Sequence, residues 1–261
     1  MPNYQYAVVE RDGPITIVTI NRPEALNALH NEAHAELGEI FDGFAADPDQ
    51  WVAIITGAGE RAFCAGNDLK VTAAGGSLTM GPPAGFAGLT SRLDLTKPVI
   101  AAVNGVAMGG GFETALACDI IVASEKALFA LPEPRVGLAA LGGGLHRLSR
   151  SIGEKRALDL ILTSRRVGAQ EGLQLGFVNY IAPPEGLMAE ARRVAAEICL
   201  AGPLSVRASK EAVLRGVDMT LEDALAGQLE FPAIKALFAS QDFLEGPRAF
   251  AEKRSPQWIG A

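Results

Sequence analysis

The sequence predicts an α/β fold, because short apolar strands alternate with helical segments along the chain. Residues 51–56, 99–103 and 120–123 are apolar runs with the length of buried strands. The first ends at Gly57 and the second at Asn104-Gly105, which are turn signals. Helical periodicity appears between and after these runs, and such alternation is typical of layered α/β proteins.

Residues 6–46 predict a β-hairpin followed by a helix. Asp12-Gly13 is a hairpin turn signal between two segments rich in β-branched residues. From residue 31 to residue 46, apolar side chains recur at helical spacing, and Asp47-Pro48 ends the pattern. The apolar stripe of this helix consists of Ala33, Leu37, Ile40, Phe41 and Phe44.

The C-terminal half predicts mainly helices, over residues 154–162, 185–200, 204–215 and 220–240. The last of these begins at Thr220 with a capping pattern. Because Gly202-Pro203 interrupts the helical periodicity, we place a boundary near Gly202.

Residues 71–91 predict a mobile surface loop beside the functional site. This segment contains five glycines and two prolines and lacks a clear periodic pattern. Long loops without secondary structure of their own are often lids over active sites.

The composition limits the possible functions. The net charge of −7 and the pI of about 5.1 argue against a nucleic-acid-binding surface. Cys64, Cys118 and Cys199 have no paired spacing and are expected to be core residues in a reducing compartment. The N-terminus has no signal-peptide pattern, and no apolar run reaches the length of a membrane span. The sequence therefore predicts a cytoplasmic protein.

The glycine triplet 109–111 lies between a predicted strand and a helical segment that contains Glu113. Glycines at a helix start let a ligand approach free backbone N–H groups, where the helix dipole favours negative charge. Gly110 and Glu113 are three residues apart and share a face if this turn is helical. The same pattern also fits a tight turn in which Glu113 is a favourable first-turn charge.

Asn67 and Glu133 each have two possible interpretations. The small residues before Asn67 suit either an N–H donor to a developing oxyanion or a β-turn with Asn67 in the left-handed region. Glu133 follows the apolar residues 127–132. It is either a carboxyl group with a raised pKa that delivers a proton, or an exposed turn residue before Pro134.

Other motifs do not predict a site. His30 and His34 are spaced i, i+4, but the glutamate between them is misplaced for a zinc motif, so we interpret them as a partly exposed helix face without a metal. The triplet 142–144 does not form a dinucleotide-binding motif, and no nucleophile elbow is present. Nothing near Cys64 in the sequence indicates an activated thiolate.

A set of ordered segments spread over nearly the whole chain resembles the crotonase (enoyl-CoA hydratase/isomerase) family. These segments are Arg22-Pro23 with residues 25–28, residues 65–69, residues 97–105, residues 109–111, Pro132-Glu133 and residues 250–254. The resemblance implies a crotonase-like spiral of β-β-α units as a catalytic domain over residues 1–201. It also implies a helical trimerisation region over residues 202–261, in a homotrimer or in a hexamer of two stacked trimers.

The resemblance also implies the site residues. Glu113 and Glu133 are then catalytic, and the N–H groups of Asn67 and Gly110 form an oxyanion hole. Ala140-Leu141 stands where hydratases of fatty-acid oxidation usually have Pro-Gly, and Leu141 is expected either to narrow the pocket or to reshape the acyl tunnel. Phe250 and Lys253 are expected to reach a neighbouring subunit's ligand. The remaining expected contacts with substrate or CoA are Arg22, Ala25, Leu26, Ala65, Asp68, Leu69 and Lys70.

The reaction implied by both glutamates is hydration of an enoyl-CoA without a metal or redox cofactor, with coenzyme A as part of the substrate. Segments 85–90, 111–113 and 245–247 look most like the carnitinyl-CoA dehydratase branch, which is one alternative. An enoyl-CoA isomerase is another, although isomerisation needs only one carboxyl group. Some family members bind RNA, which the acidic composition here disfavours.

Overall fold

The computed structural model describes residues 4–68 and 83–261. Within these ranges the strands form two sheets. The strands are β1 (Ala7–Asp12), β2 (Ile15–Ile20), β3 (Val52–Gly57), β4 (Ala62–Cys64), β5 (Val99–Val103), β6 (Val106–Met108), β7 (Ile120–Ser124), β8 (Leu128–Ala130), β9 (Val167–Gly168) and β10 (Tyr180–Ala182).

The two sheets are built from consecutive strand pairs. The larger sheet has the order β1-β2-β3-β5-β7-β10, and the smaller has the order β4-β6-β8-β9. The pairs β3–β4, β5–β6 and β7–β8 each contribute one strand to each sheet, and neighbouring pairs run parallel. Only β1 and β9 are antiparallel to their neighbours among the described strands. This repeated arrangement confirms the spiral of β-β-α units.

The helices of the described residues follow the strand pairs and then dominate the C-terminal part. They are α1 (Asn31–Ala46), α2 (Gly110–Ala117), α3 (Gly144–Ile152), α4 (Glu154–Thr163), α5 (Ala169–Leu175), α6 (Leu187–Cys199), α7 (Pro203–Gly216), α8 (Leu221–Gly227), α9 (Pro232–Phe238) and α10 (Asp242–Glu252).

The larger sheet buries both of its faces because alternate residues of each strand point to opposite sides. Ile54 belongs to the cluster that packs against α6, with Val194 among its members. Its neighbour Ile55 belongs to the main core, which includes Phe41 of α1. The central strands β3 and β5 are buried along their whole length, which explains their continuous apolar sequence.

The C-terminal helices leave many large apolar side chains exposed. Pro203, Ala208 and Ala249 are the buried apolar residues of the region after Gly202. The exposed ones include Val213, Val217, Leu221, Leu225, Leu229 and Leu244. Where such side chains lie next to each other, they form the kind of apolar patch that is uncommon on a monomer. The division into residues 1–201 and 202–261 stays a prediction.

Most predicted elements are confirmed, and α1 has the predicted bounds. The prediction of one helix over residues 220–240 is wrong, because α8 ends at Gly227 and α9 begins at Pro232. Proline cannot donate the backbone hydrogen bond that a continuous helix requires. The Thr220 side chain does accept a hydrogen bond from the Asp223 amide, as the capping pattern predicts.

Two expectations about exposure are wrong. Residues 71–82 of the expected surface loop lie outside the described residues, but residues 86–90 are buried against α1 and α2. His34 is buried as well, with 1% of its surface exposed, so it does not belong to an exposed helix face. Within residues 4–68 and 83–261, no helix has the length and apolar character that crossing a bilayer requires.

Candidate active site

A cavity of about 320 Å³ opens between the start of α2 and the segment after β8. It brings together residues that are far apart in the sequence. Asn67, Gly110, Glu113 and Glu133 all line it, with Ala65 beside them. The other wall is largely apolar and consists of Phe86, Pro132, Val136, Leu138, Ala139 and Leu141.

Two residues that line this cavity, Asn67 and Gly110, have backbone amides without an acceptor among the described residues. Gly110 is the first residue of α2, where an N–H has no partner within the helix. Gly66 lies against it, because a β-carbon built on Gly66 would be 3.4 Å from Gly110 N. The main chain at Asn67 is fixed by bonds on either side: Leu29 N donates to Gly66 O and Asp68 N donates to Leu29 O. Among the described residues, neither the Asn67 nor the Gly110 amide donates a hydrogen bond.

Glu113 is 4% exposed and lies in the first turn of α2. Burial raises the pKa of its carboxyl group to about 7, and the nearby Glu133 contributes to the rise. The Gly144 amide at the start of α3 opposes this shift by donating to Glu113 Oε1 at 2.9 Å. The carboxyl fits because two neighbours are glycines: a β-carbon on Gly142 would lie 2.7 Å from Oε2, and one on Gly144 would lie 3.0 Å from Oε1.

Glu133 begins a 3-10 turn, Glu133–Val136, after β8. Burial raises the pKa of its carboxyl group. Its Oε2 is buried and has no hydrogen-bond partner among the described residues. Its Oε1 approaches Gly109, where a β-carbon would lie 2.8 Å away. Gly109 has a φ of 54°, so glycine suits this position for its backbone as well as for the close carboxylate.

The predicted CoA-contacting residues near the N-terminus lie beside the cavity and are joined to each other. Arg22 forms an ion pair with Asp68 at 3.3 Å, and both side chains are largely buried. Leu26 has a left-handed conformation with a φ of 53°, and its carbonyl accepts from the Ala65 amide. Ala25 lies in the 3-10 turn Pro23–Ala25. Leu69 and Lys70 lie outside the described residues.

The other predicted contacts are on the surface. Leu141 lines the cavity and is 62% exposed, so it forms part of the cavity mouth. Phe250 is 87% exposed on α10, and Lys253 caps that helix in a left-handed conformation. The structure does not bring Phe250 or Lys253 to the described cavity of their own subunit.

The comparisons with known proteins identify the family. The family model described as enoyl-CoA hydratase/isomerase matches residues 10–261. The chain belongs to this family.

Named relatives within the enoyl-CoA hydratase/isomerase family fall into two groups. A carnitinyl-CoA dehydratase from Salmonella arizonae is 45% identical over 256 residues, which cover 96% of this chain and 97% of that protein. The structure of an enoyl-CoA hydratase from Mycobacterium marinum has a TM-score of 0.91 and 40% identity, covering 98% of this chain and 99% of that one. A carnitinyl-CoA hydratase structure from Mycobacterium avium has a TM-score of 0.77 and 40% identity, with coverage of 98% and 99%.

Several residues of this family member's site do not follow from the sequence analysis. Phe86 falls in the segment interpreted as a surface loop, yet its ring occupies the space beside Gly110. Gly142 and Gly144 belong to the triplet that fits no nucleotide motif, and they make room for Glu113. The only available signal was a glycine triplet nine residues after Glu133, and spacing alone does not reveal which carboxylate it faces.

Proposed function

We propose that the protein is an enoyl-CoA hydratase that adds water reversibly across the 2,3 double bond of an enoyl-CoA thioester. One observation carries the proposal: two carboxyl groups whose pKa values are raised by burial line the same cavity as two residues whose backbone amides have no described acceptor. Amide pairs of this kind stabilise the negative charge that develops on a carbonyl oxygen. The hydratases among the relatives support the same chemistry.

In the proposed reaction the thioester oxygen accepts hydrogen bonds from the amides of Asn67 and Gly110. The ionised Glu113 takes a proton from a water molecule while the water oxygen bonds to the β-carbon. The π electrons of the double bond move towards the thioester and form an enolate, which the two amides and the positive end of α2 stabilise. Glu133 then gives its proton to the α-carbon. These steps use only groups of the chain and the substrate.

The hydrogen-bond surroundings of the two carboxyl groups support this division of roles. Burial raises the pKa of Glu133, and its Oε2 has no partner among the described residues, so its surroundings shift the group towards the carboxylic acid that can deliver a proton. Glu113 has a pKa of about 7 and receives the Gly144 N–H, so its ionised form is accessible near neutral pH. Each turnover leaves Glu113 protonated and Glu133 ionised, so a proton must return to Glu133 before the next one.

The proposal includes a CoA site and an assembly. We assign CoA contacts to Arg22, Ala25, Leu26, Ala65 and Asp68, together with Leu69 and Lys70. Phe250 and Lys253 are proposed to contact the ligand of a neighbouring subunit in a homotrimer, free or stacked as a hexamer. The exposed apolar side chains of the C-terminal helices support such an assembly, because covering them removes apolar area from water.

Light scattering tests the proposed assembly. The double variant Leu225→Glu, Leu229→Glu places charges on two exposed C-terminal leucines and is expected to give monomers. Leu162→Glu on α4 is the matched control, since Leu162 is also highly exposed but lies in the spiral. A concentration-independent wild-type monomer contradicts the trimer, and monomers from Leu162→Glu alone contradict the placement of the interface.

A second candidate is the hydration of crotonobetainyl-CoA, favoured by the identity to carnitinyl-CoA dehydratases. Its acyl group carries a quaternary ammonium, which proteins usually bind with aromatic rings or acids. Among the described lining residues, Phe86 is the only aromatic one and the two glutamates are the only acids. This lining favours an apolar acyl group over the cationic one.

The decisive experiment measures the loss of conjugated absorbance with a panel of thioesters. We expect turnover of crotonyl-CoA and of longer 2-enoyl-CoA substrates, with lower kcat/KM for crotonobetainyl-CoA. Faster turnover of crotonobetainyl-CoA would establish the second candidate. Conversion of a 3-enoyl-CoA to a 2-enoyl-CoA without formation of a hydroxyacyl product would establish an isomerase instead. No turnover of any of these thioesters would refute the proposed function.

A further inference from the structure

The short turn Phe86–Gly88 connects α1 to the proposed oxyanion hole. Phe86 is buried and lines the active-site cavity. Its ring packs directly against Gly110, because a β-carbon built on Gly110 would lie 2.5 Å from Phe86 Cε2 and Cζ. Phe86 is therefore the immediate neighbour of the residue whose amide is a proposed hydrogen-bond donor to the thioester.

This turn has an unfavourable backbone conformation. Ala87 has a φ of 53°, in the left-handed region that residues with a β-carbon rarely adopt. Two side chains stabilise the turn by accepting its amide protons: Thr90 Oγ1 accepts from Phe86 N at 2.8 Å, and His34 Nδ1 accepts from Ala87 N at 3.1 Å. Thr90 belongs to the same local segment, so His34 is the side chain that ties the turn to α1.

Burying the His34 imidazole destabilises the fold, and its role as a hydrogen-bond acceptor explains why a histidine lies here. Burial lowers the pKa of His34 to about 4, so the imidazole is neutral at neutral pH and Nδ1 keeps its lone pair. The proton then lies on Nε2, which is buried without a hydrogen-bond partner among the described residues. An unpaired buried donor is destabilising. A leucine here would remove that cost, but it would leave the Ala87 amide unpaired and lose the edge contact between the His34 and Phe86 rings.

We infer that His34 is a positioning residue for the oxyanion hole. Its Nδ1 fixes the Ala87 amide, the turn holds the Phe86 ring against Gly110, and the ring limits the movement of the Gly110 N–H. His34 lies behind Phe86 and is not among the described residues that line the cavity. This inference rests on the proposed hydratase function, because it concerns the alignment of a donor with the thioester oxygen.

The test compares substitutions that keep or remove the acceptor. Asparagine places its Oδ1 where His34 Nδ1 lies, so His34→Asn is expected to keep most of the wild-type kcat with crotonyl-CoA. Glutamine places its oxygen one atom farther along, and leucine has none. We expect His34→Gln and His34→Leu to lower kcat by at least about 10-fold, since a donor misplaced by about 1 Å costs up to 100-fold. KM is expected to change by less than about 3-fold, because most binding involves the CoA portion.

His30→Ala is the matched control for helix stability. His30 caps the same helix by accepting from Ala33 N at 3.2 Å, and its ring contact is with Tyr6. Its substitution is expected to lower the melting temperature and leave kcat unchanged. The inference is overturned if His34→Gln and His34→Leu keep wild-type kcat, or if His34→Asn loses as much kcat as His34→Leu. Failure of the wild-type enzyme to hydrate any enoyl-CoA would instead refute the proposed function itself.

Discussion

Glu113 and Glu133 line the same cavity, but only the Glu113 carboxyl group lies at a glycine-rich helix start that donates a backbone N–H to it. Glu133 has a buried carboxyl oxygen without a described partner. Burial raises the pKa of both groups, yet only Glu113 has Gly144 to stabilise its charge. Two residues of the same type therefore have different hydrogen-bond surroundings, and on that ground we assign one to accept a proton and the other to donate one.

The largest expected effect comes from removing either carboxyl group. Glu113→Gln and Glu133→Gln keep the shape of each side chain but eliminate its proton transfer. Each is expected to lower kcat for crotonyl-CoA by about 1,000-fold or more, because the water is no longer activated or the α-carbon no longer protonated. Affinity for a CoA ester, measured by calorimetry, should stay nearly unchanged. Near-native turnover by either variant contradicts the role assigned to that glutamate.

A smaller effect is expected from moving Glu113 without changing it. Gly142→Ala places a methyl group 2.7 Å from Glu113 Oε2, which forces the carboxyl group to shift. We expect kcat to fall about 10- to 100-fold with KM little affected. Gly168→Ala is the control, since nothing lies within 4 Å of the added β-carbon. Equal kcat for both variants would show that the position of Glu113 is not critical.

The pH dependence separates the two carboxyl groups. Glu113 must be ionised to act as a base, so kcat/KM for hydration should rise up to about 10-fold per pH unit below a pKa of about 7 and then level off. Glu133 has to be protonated to deliver a proton, so kcat/KM should also fall at the pH at which burial no longer keeps that proton bound. A profile of kcat/KM from pH 5 to pH 10 measures both limbs, and a flat profile below pH 7 contradicts the base role of Glu113.

The smallest expected effect is on stability. The pKa of Glu113 is about 7 in the folded protein against 4.5 for the free group, so the folded state binds more protons between these values. Stability is therefore lost as pH rises through this interval. Glu113→Gln is expected to raise the melting temperature on the order of a few °C at pH 8, with little gain at pH 4.5. An equal change at both pH values would show that charge burial is not the cause.

Much of the fold follows from the sequence, because local patterns encode local structure. The stripe of α1 and its Asp47-Pro48 end give its bounds, and the buried strands β3 and β5 appear as apolar runs. The break between α8 and α9 also has a local signal in Pro232, which the helical periodicity of residues 220–240 obscures. The surface interpretation of residues 86–90 is wrong because composition does not reveal that a glycine-rich turn packs into a core.

The site is less predictable, because its contacts join distant segments. The glutamates and the glycine triplet can be identified in the sequence, but the packing of Phe86 on Gly110 and of Gly142 on Glu113 depends on tertiary structure. His34 illustrates the same point: its spacing from His30 resembles a metal pair, whereas its Nδ1 accepts from an amide 53 residues away.

The exposed apolar side chains of the C-terminal helices affect how a newly synthesised chain folds and assembles. In the proposed assembly, a freshly synthesised subunit displays leucines such as Leu221 and Leu244 to water until other copies cover them. During that interval the subunit is prone to nonspecific aggregation and to binding by chaperones. The refolding yield should therefore be low at both extremes of protein concentration. In dilute solution the subunits associate slowly, and in concentrated solution they precipitate.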